Sequence, residues 1–457
     1  MSPLTLTRSV RSLNRLRQIA QVLTHHGFGH VVTQINLTRF VPVWMLRKRA
    51  PSAVVGEGAT SIGRRLALVC AELGPTFVKL GQMMSTRPDI VPEEVLAELR
   101  TLQDEVPPFD TESAMTTIAK ELGRPVQECF ASIDDQPFAS ASIGQAYHAR
   151  SKDDTDLVVK VRRPDIEDVI ALDIQLLKWL AQSLESLMPE LRAYRPTLLV
   201  TELEEMLDRE LDYVNEAATT ARFAEALADV PGVRIPRVYW DLSGPRVLTL
   251  QRLEGVNVDK LIPSPRSTDV PDRPDLDANG FNGRLVARHL VDCYLKQIFE
   301  LGAFHADPHP GNLLVEPPAK LGLIDFGQVG TITEDLMNQL LVIVYAAVNR
   351  EIDVVIDGFA DLGALGQDTN RRHLHRSLQV LLDKYYGLPM KRIDLGTLTN
   401  EFADVVRRHD VVVPRDLLML FKALGTVGGV ATRLDPDLDL VTALTPRIKR
   451  ALASRFS

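Results

Sequence analysis

The chain predicts an α+β fold in two lobes, with a helical extension at its N-terminus. Three observations predict it. Helical periodicity dominates the first hundred or so residues outside an irregular Asn36–Thr60, short β-branched runs appear between Ala146 and Leu250 with helices inserted among them, and helical patterning returns from Gly283 around one hairpin pattern at Leu313–Asp325. At 457 residues the chain is long enough for two or three packed units,. Its 45% hydrophobic and 25% charged content is that of an ordinary globular protein,.

Taken in order, residues 8–24 read as an amphipathic helix, with Leu13, Leu16, Ala20 and Leu23 at helical spacing and arginines between them,. Asn36–Thr60 is irregular. Helical stretches follow over Ser61–Arg87 and Pro92–Asp104, and Pro107-Pro108 marks a break,. Thr111–Leu122 is helical, with Gly123 as its stop,. Ala146–Arg150 and Leu157–Val161 read as a hairpin,. Ile166–Leu187 and a long charged stretch, Thr197–Leu227, return to helix, and Arg234–Trp240 with Arg246–Leu250 reads as a second strand pair. Ser264–Asp277, rich in Pro, Asp and Ser, is a surface loop,. These patterns divide the chain into an extension over 1–110, a sheet-bearing lobe over 111–253 and a helical lobe over 254–457.

Composition excludes several classes. A net charge of −8 argues against general nucleic-acid binding,. Three widely spaced cysteines, with no CxxC pair, argue against a disulfide framework or a zinc site and fit a reducing, cytoplasmic compartment,. The longest apolar run, Leu340–Val348, is too short to span a bilayer, and Leu417–Ala431 is interrupted by Lys422 and glycines, so no transmembrane helix is expected,. The N-terminus has no secretory signal pattern. Charge is distributed unevenly: the first fifty residues contain no Asp or Glu but include Arg8, Arg11, Arg15, Arg17, Arg39, Arg47, Lys48 and Arg49. The basic N-terminal helix could lie on an anionic membrane surface or pack against the rest of the chain.

The strongest chemical signal is His305-Ala-Asp307-Pro-His-Pro-Gly-Asn312 followed by Ile324-Asp325-Phe326-Gly327. An Asp, an Asn five residues on, a short hairpin and then Asp-Phe-Gly is the order found in protein kinases. Phosphoryl transfer needs oxygen ligands that hold Mg²⁺ against the phosphates and a carboxylate that orients the nucleophile. Asn312 and Asp325 suit the metal, and Asp307 suits the acceptor. Upstream, Lys160 in Leu157-Val-Val-Lys-Val161 resembles the strand lysine that meets the α/β-phosphates of ATP,. Its carboxylate partner is sought in Glu210-Leu-Asp212-Tyr-Val-Asn-Glu216, where Asp212 and Glu216 fall one helical turn apart; Glu216 is preferred,. A GxGxxG loop is missing. Ala139, Ser140, Ala141, Ser142 and Ile143 stand in its place, small enough for backbone to approach phosphate,. Gln251 and Leu253 lie where a kinase joins its lobes and reads adenine.

Together these residues resemble the UbiB/ADCK (aarF domain-containing) family of atypical kinases. Lys79-Leu-Gly-Gln82, with Ser85–Asp89 after it, is similar to that family's KxGQ signature; Glu210 and Asp212 are similar to its ExD pair; and the Ala-rich loop is a family feature. The resemblance runs from about residue 10 to about residue 440. It implies a two-lobed protein-kinase-like fold, ATP and Mg²⁺ as cofactors, and a lid in which Lys79 and Gln82 lie over the nucleotide, tied to Glu210 and Asp212. Departures are Ser140 in place of an alanine, Gln251-Arg252 in place of an acidic-aromatic pair, and the lack of the C-terminal transmembrane helices of some members. No Ala-Pro-Glu segment follows Asp325. The expected role is an ATPase or kinase supporting isoprenoid-quinone or related lipid metabolism, a link that rests on the resemblance alone; the basic N-terminal helix and the cysteine usage add an expected place on the cytoplasmic face of a membrane. Its partners would be an anionic lipid or quinone precursor and biosynthetic enzymes. The catalytic loop is also similar to that of aminoglycoside and choline phosphotransferases, which leaves a small-molecule kinase open, as well as a nucleotide-gated module that binds lipid without catalysis.

Overall fold

The computed structural model describes residues 10–40, 61–87, 90–102, 107–262, 280–366, 369–385, 395–409, 411 and 413–438. The chain forms two compact units, Met1–Val214 with Tyr239–Thr249 and Asn215–Val238 with Leu250–Ser457.

The first unit has a helical part and a sheet. The helix Val10–His25 turns Leu16, Ile19, Ala20 and Val22 inward. They join a core shared with the helices Ile62–Leu73, Pro75–Met84, Ile166–Leu187 and Pro196–Leu211. Arg15 is spent internally, donating to Asp173 at 2.6 Å and 2.8 Å and to the Leu73 carbonyl at 2.6 Å. Of the two readings left open for this helix, packing is therefore what its apolar stripe does. Arg11 and Arg17 remain exposed.

Two stretches expected to be single helices are each a pair. Ser61–Arg87 breaks at Gly74, whose φ of +91° disfavours a side chain and which is followed by Pro75 at the first helical position,. Thr197–Leu227 breaks at Asp212, which is extended at φ −108°, ψ 100°. Its carboxylate accepts from the Val214 amide at 2.9 Å and so begins a new helix, Tyr213–Ala226,. Asp212 and Glu216 are thus not one turn apart on a continuous helix. The helix expected at Pro92–Asp104 covers Glu93–Leu99.

The sheet runs in the order Ser132–Ile133, Gly144–Arg150, Asp156–Arg162 and Val247–Gln251, with Ala139–Ser140 also paired to Gly144–Arg150. The expected hairpin is present in full register, from Gly144 opposite Arg162 to Arg150 opposite Asp156. Its buried face, Tyr147, Leu157, Val159 and Val161, packs with Ala114 and Ile118 of the helix Thr111–Leu122. That helix is capped by Asp110 and stops at the left-handed Gly123.

In the second unit the hairpin Leu313–Glu316/Lys320–Leu323 forms as expected. The segment Arg234–Trp240 is not the strand predicted. Val233–Arg234 pairs in parallel with Lys320–Leu323, and only the single bridge Val238–Leu250 links the segment to the strand expected beside it. The sequence also gave no hint of a two-stranded ladder, Ala303–His305 against Val329–Thr331. Helices Gly283–Lys296, Glu334–Val348, Ile352–Asp361, Arg371–Tyr385 and Arg415–Leu434 surround these strands in one core. Arg415–Leu434 is long and apolar enough to cross a membrane by length and composition. Here Leu417, Leu420, Ala423, Val427 and Val430 place it in that core. Thr333 caps Glu334–Val348, where helix was expected to resume. The expected loop Ser264–Asp277, and the part of Asn36–Thr60 beyond Phe40, lie outside the described residues.

Candidate functional site

In the second unit the strand Ala303–His305 delivers Asp307. His305 is fully buried, and three contacts fix its position. Its amide donates to Gln297 Oε1 at 2.9 Å, its carbonyl accepts from Tyr294 Oη at 3.2 Å, and its ring lies edge-on to Phe326, with centroids 5.0 Å apart. Its Nδ1 accepts from the Asp307 amide at 3.2 Å, so the proton of the neutral ring belongs on Nε2,. Burial lowers the His305 pKa, and the charges of Asp307 and Asp325 oppose that only in part, which favours the neutral ring,.

Asn312 sits at the end of a tight turn, its Nδ2 donating to the Asp307 carbonyl at 3.2 Å. That bond leaves Oδ1 as the end of the amide available to a ligand. The Ile324 amide donates to the Asn312 carbonyl at 3.0 Å and draws the start of the Asp-Phe-Gly segment to the loop. Asp325 has φ +71°, and its Oδ1 accepts from the Gly327 amide at 3.1 Å. The structure therefore brings Asp307, Asn312 and Asp325 onto one hairpin and its flanks. A carboxylate and an amide oxygen form a hard-oxygen donor set that fits Mg²⁺, which takes few protein ligands and keeps water and phosphate for the rest.

One residue that bears on this cluster was not foreseen. Lys422 Nζ meets Asp307 Oδ1 at 3.0 Å, with both side chains a little over one-third exposed. Burial pushes the Asp307 carboxyl upward. The Lys422 charge and hydrogen bond outweigh it, and the group ends below the ordinary carboxylate range,. Nothing in the sequence pattern joins these residues, which lie 115 positions apart.

Gln251 and Leu253 line a cleft of about 340 Å³ with Ala224, Leu227, Val233 and Ile235. The Gln251 amide donates to the Arg237 carbonyl at 2.8 Å, so this N–H is committed within the chain rather than offered to a purine. Glu216, also in this unit, is a buried carboxylate on the helix Tyr213–Ala226.

In the first unit Ala139, Ala146 and Lys160 lie opposite one another across three strands and so share a face of the sheet,. The segment Ala139–Ile143 is a tight connection rather than an open loop, with the Ala141 amide donating to the Gly144 carbonyl at 2.8 Å. Gly144 cannot carry a side chain: a Cβ there would lie 2.3 Å from Tyr213 Oη and 2.6 Å from the Val161 carbonyl oxygen. Arg163, another residue not foreseen, holds the connection from beneath. Its amide donates to Ile143 O at 2.7 Å and its guanidinium to Ala141 O at 3.4 Å. The hydroxyls of Ser140 and Ser142 are buried with no hydrogen-bond partner among the described residues. Orphaned buried hydroxyls are costly, and a ligand with acceptor oxygens would satisfy them.

Lys79 and Glu210 are joined in the same unit, Nζ to Oε2 at 3.0 Å, with side chains only 10% and 11% exposed. Gly81 lets the Lys79 helix approach its neighbour, since a Cβ there would lie 2.3 Å from Leu102 Cδ1 and 3.2 Å from Cys70 Sγ. Arg162, two residues beyond Lys160, donates to the Leu211 carbonyl and so ties that strand to the end of the Glu210 helix. Asp212 is occupied as a helix cap, and Gln82 is half-buried. All three cysteines are buried and free, with Cys70 and Cys293 pushed up to about 12 by burial, so neither is a nucleophile,.

Residues 101–357 match the ABC1 atypical kinase-like domain, and residues 378–439, which include Lys422, match the UbiB helical domain. Curated relatives include the "Probable protein kinase UbiB" of Pseudomonas fluorescens strain Pf0-1, 31% identical over 98% of this chain and 82% of its own length. The protein of the same name from Pseudomonas putida strain F1 is 32% identical over 98% of this chain and 81% of its own. Among solved structures, Mycobacterium tuberculosis Rv3197, determined in complex with erythromycin, matches with a TM-score of 0.54 and 24% identity. That match covers 80% of this chain and 90% of the other and supports the kinase-like α+β fold. With the domain match covering more than half of its length, and relatives above 30% identity over nearly all of it, the chain belongs to the ABC1/UbiB family of atypical kinases.

Proposed function

We propose that this protein binds MgATP and transfers or releases its terminal phosphoryl group, in support of isoprenoid-quinone or related lipid metabolism. The observation that carries this reading is the convergence of Asp307, Asn312 and Asp325 on one hairpin, held by the Asn312–Asp307 and Ile324–Asn312 hydrogen bonds. Asn312 Oδ1 and the Asp325 carboxylate would hold Mg²⁺, which when bound neutralises phosphate charge. Asp307, kept ionised beside Lys422, would orient the attacking oxygen and receive its proton,. Lys160, paired with Glu216, would meet the α/β-phosphates. Ala139, Ser140, Ala141, Ser142 and Ile143 would cover them, the two orphaned hydroxyls accounting for some of the contacts. Gln251 and Leu253 would border the base. Lys79, Gln82, Glu210 and Asp212 would form a lid clamped by the dry Lys79–Glu210 pair.

One observation favours water or a small molecule over a docked protein as acceptor. Only residues 328–333 separate Gly327 from the helix Glu334–Val348, and three of them are strand. That leaves little chain on which to seat a peptide. The quinone link rests on the family resemblance. Attachment to an anionic membrane at the cytoplasmic face would depend on charge, through the exposed Arg11 and Arg17, because the apolar stripe of their helix is buried in the core,. The test is Mg²⁺-dependent ATP hydrolysis with and without anionic vesicles. Wild type should turn over and Asp307→Asn should lose at least about 10²-fold. Equal rates in both would refute the assignment of Asp307. Transfer of the terminal phosphoryl group to a hydroxyl of a soluble metabolite would favour the small-molecule kinase.

A further inference from the structure

We propose that Lys422 belongs to the phosphoryl-transfer site, its ammonium supplying at the terminal phosphate the positive charge that the catalytic loop does not carry. This rests on the MgATP reading given above. Between Asp307 and Asn312 the loop reads Pro308-His309-Pro310-Gly311, with no Lys or Arg. His309 does not fill the gap, because its Nδ1 accepts from the Gly311 amide at 3.0 Å and therefore holds a lone pair there, not a proton. Charge builds on the equatorial oxygens of a phosphoryl group in transfer, and a fixed cation beside them is among the largest stabilising effects a site can offer.

Lys422 is placed for this task by a helix remote in sequence. Leu420 and Ala423, on either side of it, are buried in the core, as are Leu417, Val427 and Val430, so the stem of Lys422 is anchored. Its side chain is 37% exposed, and Nζ lies 3.0 Å from Asp307 Oδ1. An ammonium has three protons to donate, and among the described residues Asp307 accepts one of them,. Among the described residues the face on which it stands is open: Gly425 and Gly429, one and two turns on, would each meet nothing within 4 Å of an added Cβ. A phosphate oxygen can therefore reach the ammonium while Asp307 still holds it. In the step itself the bond from the terminal phosphorus to the bridging oxygen breaks, its electron pair leaving with ADP. A new bond forms from the oxygen of water or of an alcohol, and the proton of that oxygen passes to Asp307. Lys422 neither gains nor loses a proton.

The test compares Mg²⁺-nucleotide affinity and steady-state ATP hydrolysis in wild type, Lys422→Met and Lys422→Arg, all in the full chain. A contact with the terminal phosphate predicts that Lys422→Met binds ATP about tenfold more weakly or worse, leaves ADP affinity within about twofold, and lowers kcat by about 10²-fold. Lys422→Arg should restore most of the ATP preference. Because Lys422→Met leaves a carboxylate without its partner, Asp307→Asn is also compared with Asp307→Asn/Lys422→Met. Removing the lysine should again lower the ATP-to-ADP affinity ratio. If wild type binds MgATP but neither comparison changes that ratio, Lys422 is only a structural partner of Asp307 and the proposal fails by itself. If wild type binds no MgATP, the underlying reading fails and takes the proposal with it.

Discussion

Two lysine–carboxylate pairs, one in each unit, have the same 3.0 Å separation and opposite surroundings. Lys79–Glu210 is nearly dry, at 10% and 11% exposure. Lys422–Asp307 is reached by solvent, at 37% and 36%. Distance alone would rank them equal. Burial separates them, because a dry charge that loses its partner cannot turn to water, whereas a half-exposed one can. The first pair is built as a clamp and the second as a contact that a ligand can share.

The largest effect should therefore come from the first unit. Glu210→Ala takes a carboxylate from the nearly dry Lys79 ammonium and is expected to cost about 3–5 kcal/mol, seen as a lower midpoint in denaturant unfolding,. Lys79→Met/Glu210→Leu, which removes both charges, should recover part of that loss. A Glu210→Ala protein as stable as wild type would remove the distinction between the pairs. Next in size is Gly144→Ala, where the new methyl would press on Tyr213 Oη and the Val161 carbonyl. About 1–3 kcal/mol is expected by the same measurement,.

A smaller and pH-dependent effect belongs to the second unit. His305 is buried with its pKa lowered, so the folded state resists taking up a proton that the unfolded chain accepts near its ordinary value of about 6.5,. The stability contribution is complete above that pH. It declines as pH falls from about 6.5 toward the lower folded pKa, by at most about 1.4 kcal/mol per pH unit. His305→Asn should lose that component of the pH profile. The smallest stability change should come from Lys422→Met, less than about 1 kcal/mol given the solvent around the pair, even though its effect on ATP is large. A loss comparable to that of Glu210→Ala would mean that the second pair is a clamp too.

What the sequence made legible follows from how local each feature is. Asp307, Asn312 and Asp325 are joined by a loop and one short hairpin, so spacing alone predicts their meeting. The hairpin around Lys160 is equally local, two short β-branched runs on either side of a polar turn, and the structure adds its register. Lys422 meets Asp307 across 115 positions, and no periodicity encodes such a contact. The approach of Lys79 to Glu210 was expected only through family resemblance. Two helix breaks were written in the chain and passed over: Gly74-Pro75 is an ordinary stop-and-start signal, and Asp212 caps the helix that follows it,. The ladder Ala303–His305/Val329–Thr331 consists of three-residue strands, too short for alternation to announce,. Arg163 drew no notice in the sequence, because its role depends on the carbonyls of a connection about twenty residues upstream.

The central claim is that Asn312 and Asp325 hold a divalent ion against a nucleotide, and calorimetric titration with ATP tests it most directly. Wild type should bind saturably when Mg²⁺ is present, with binding largely abolished by chelation and by Asp325→Asn. Binding that is equally strong without Mg²⁺ and in Asp325→Asn, or no binding to wild type at all, would contradict the account.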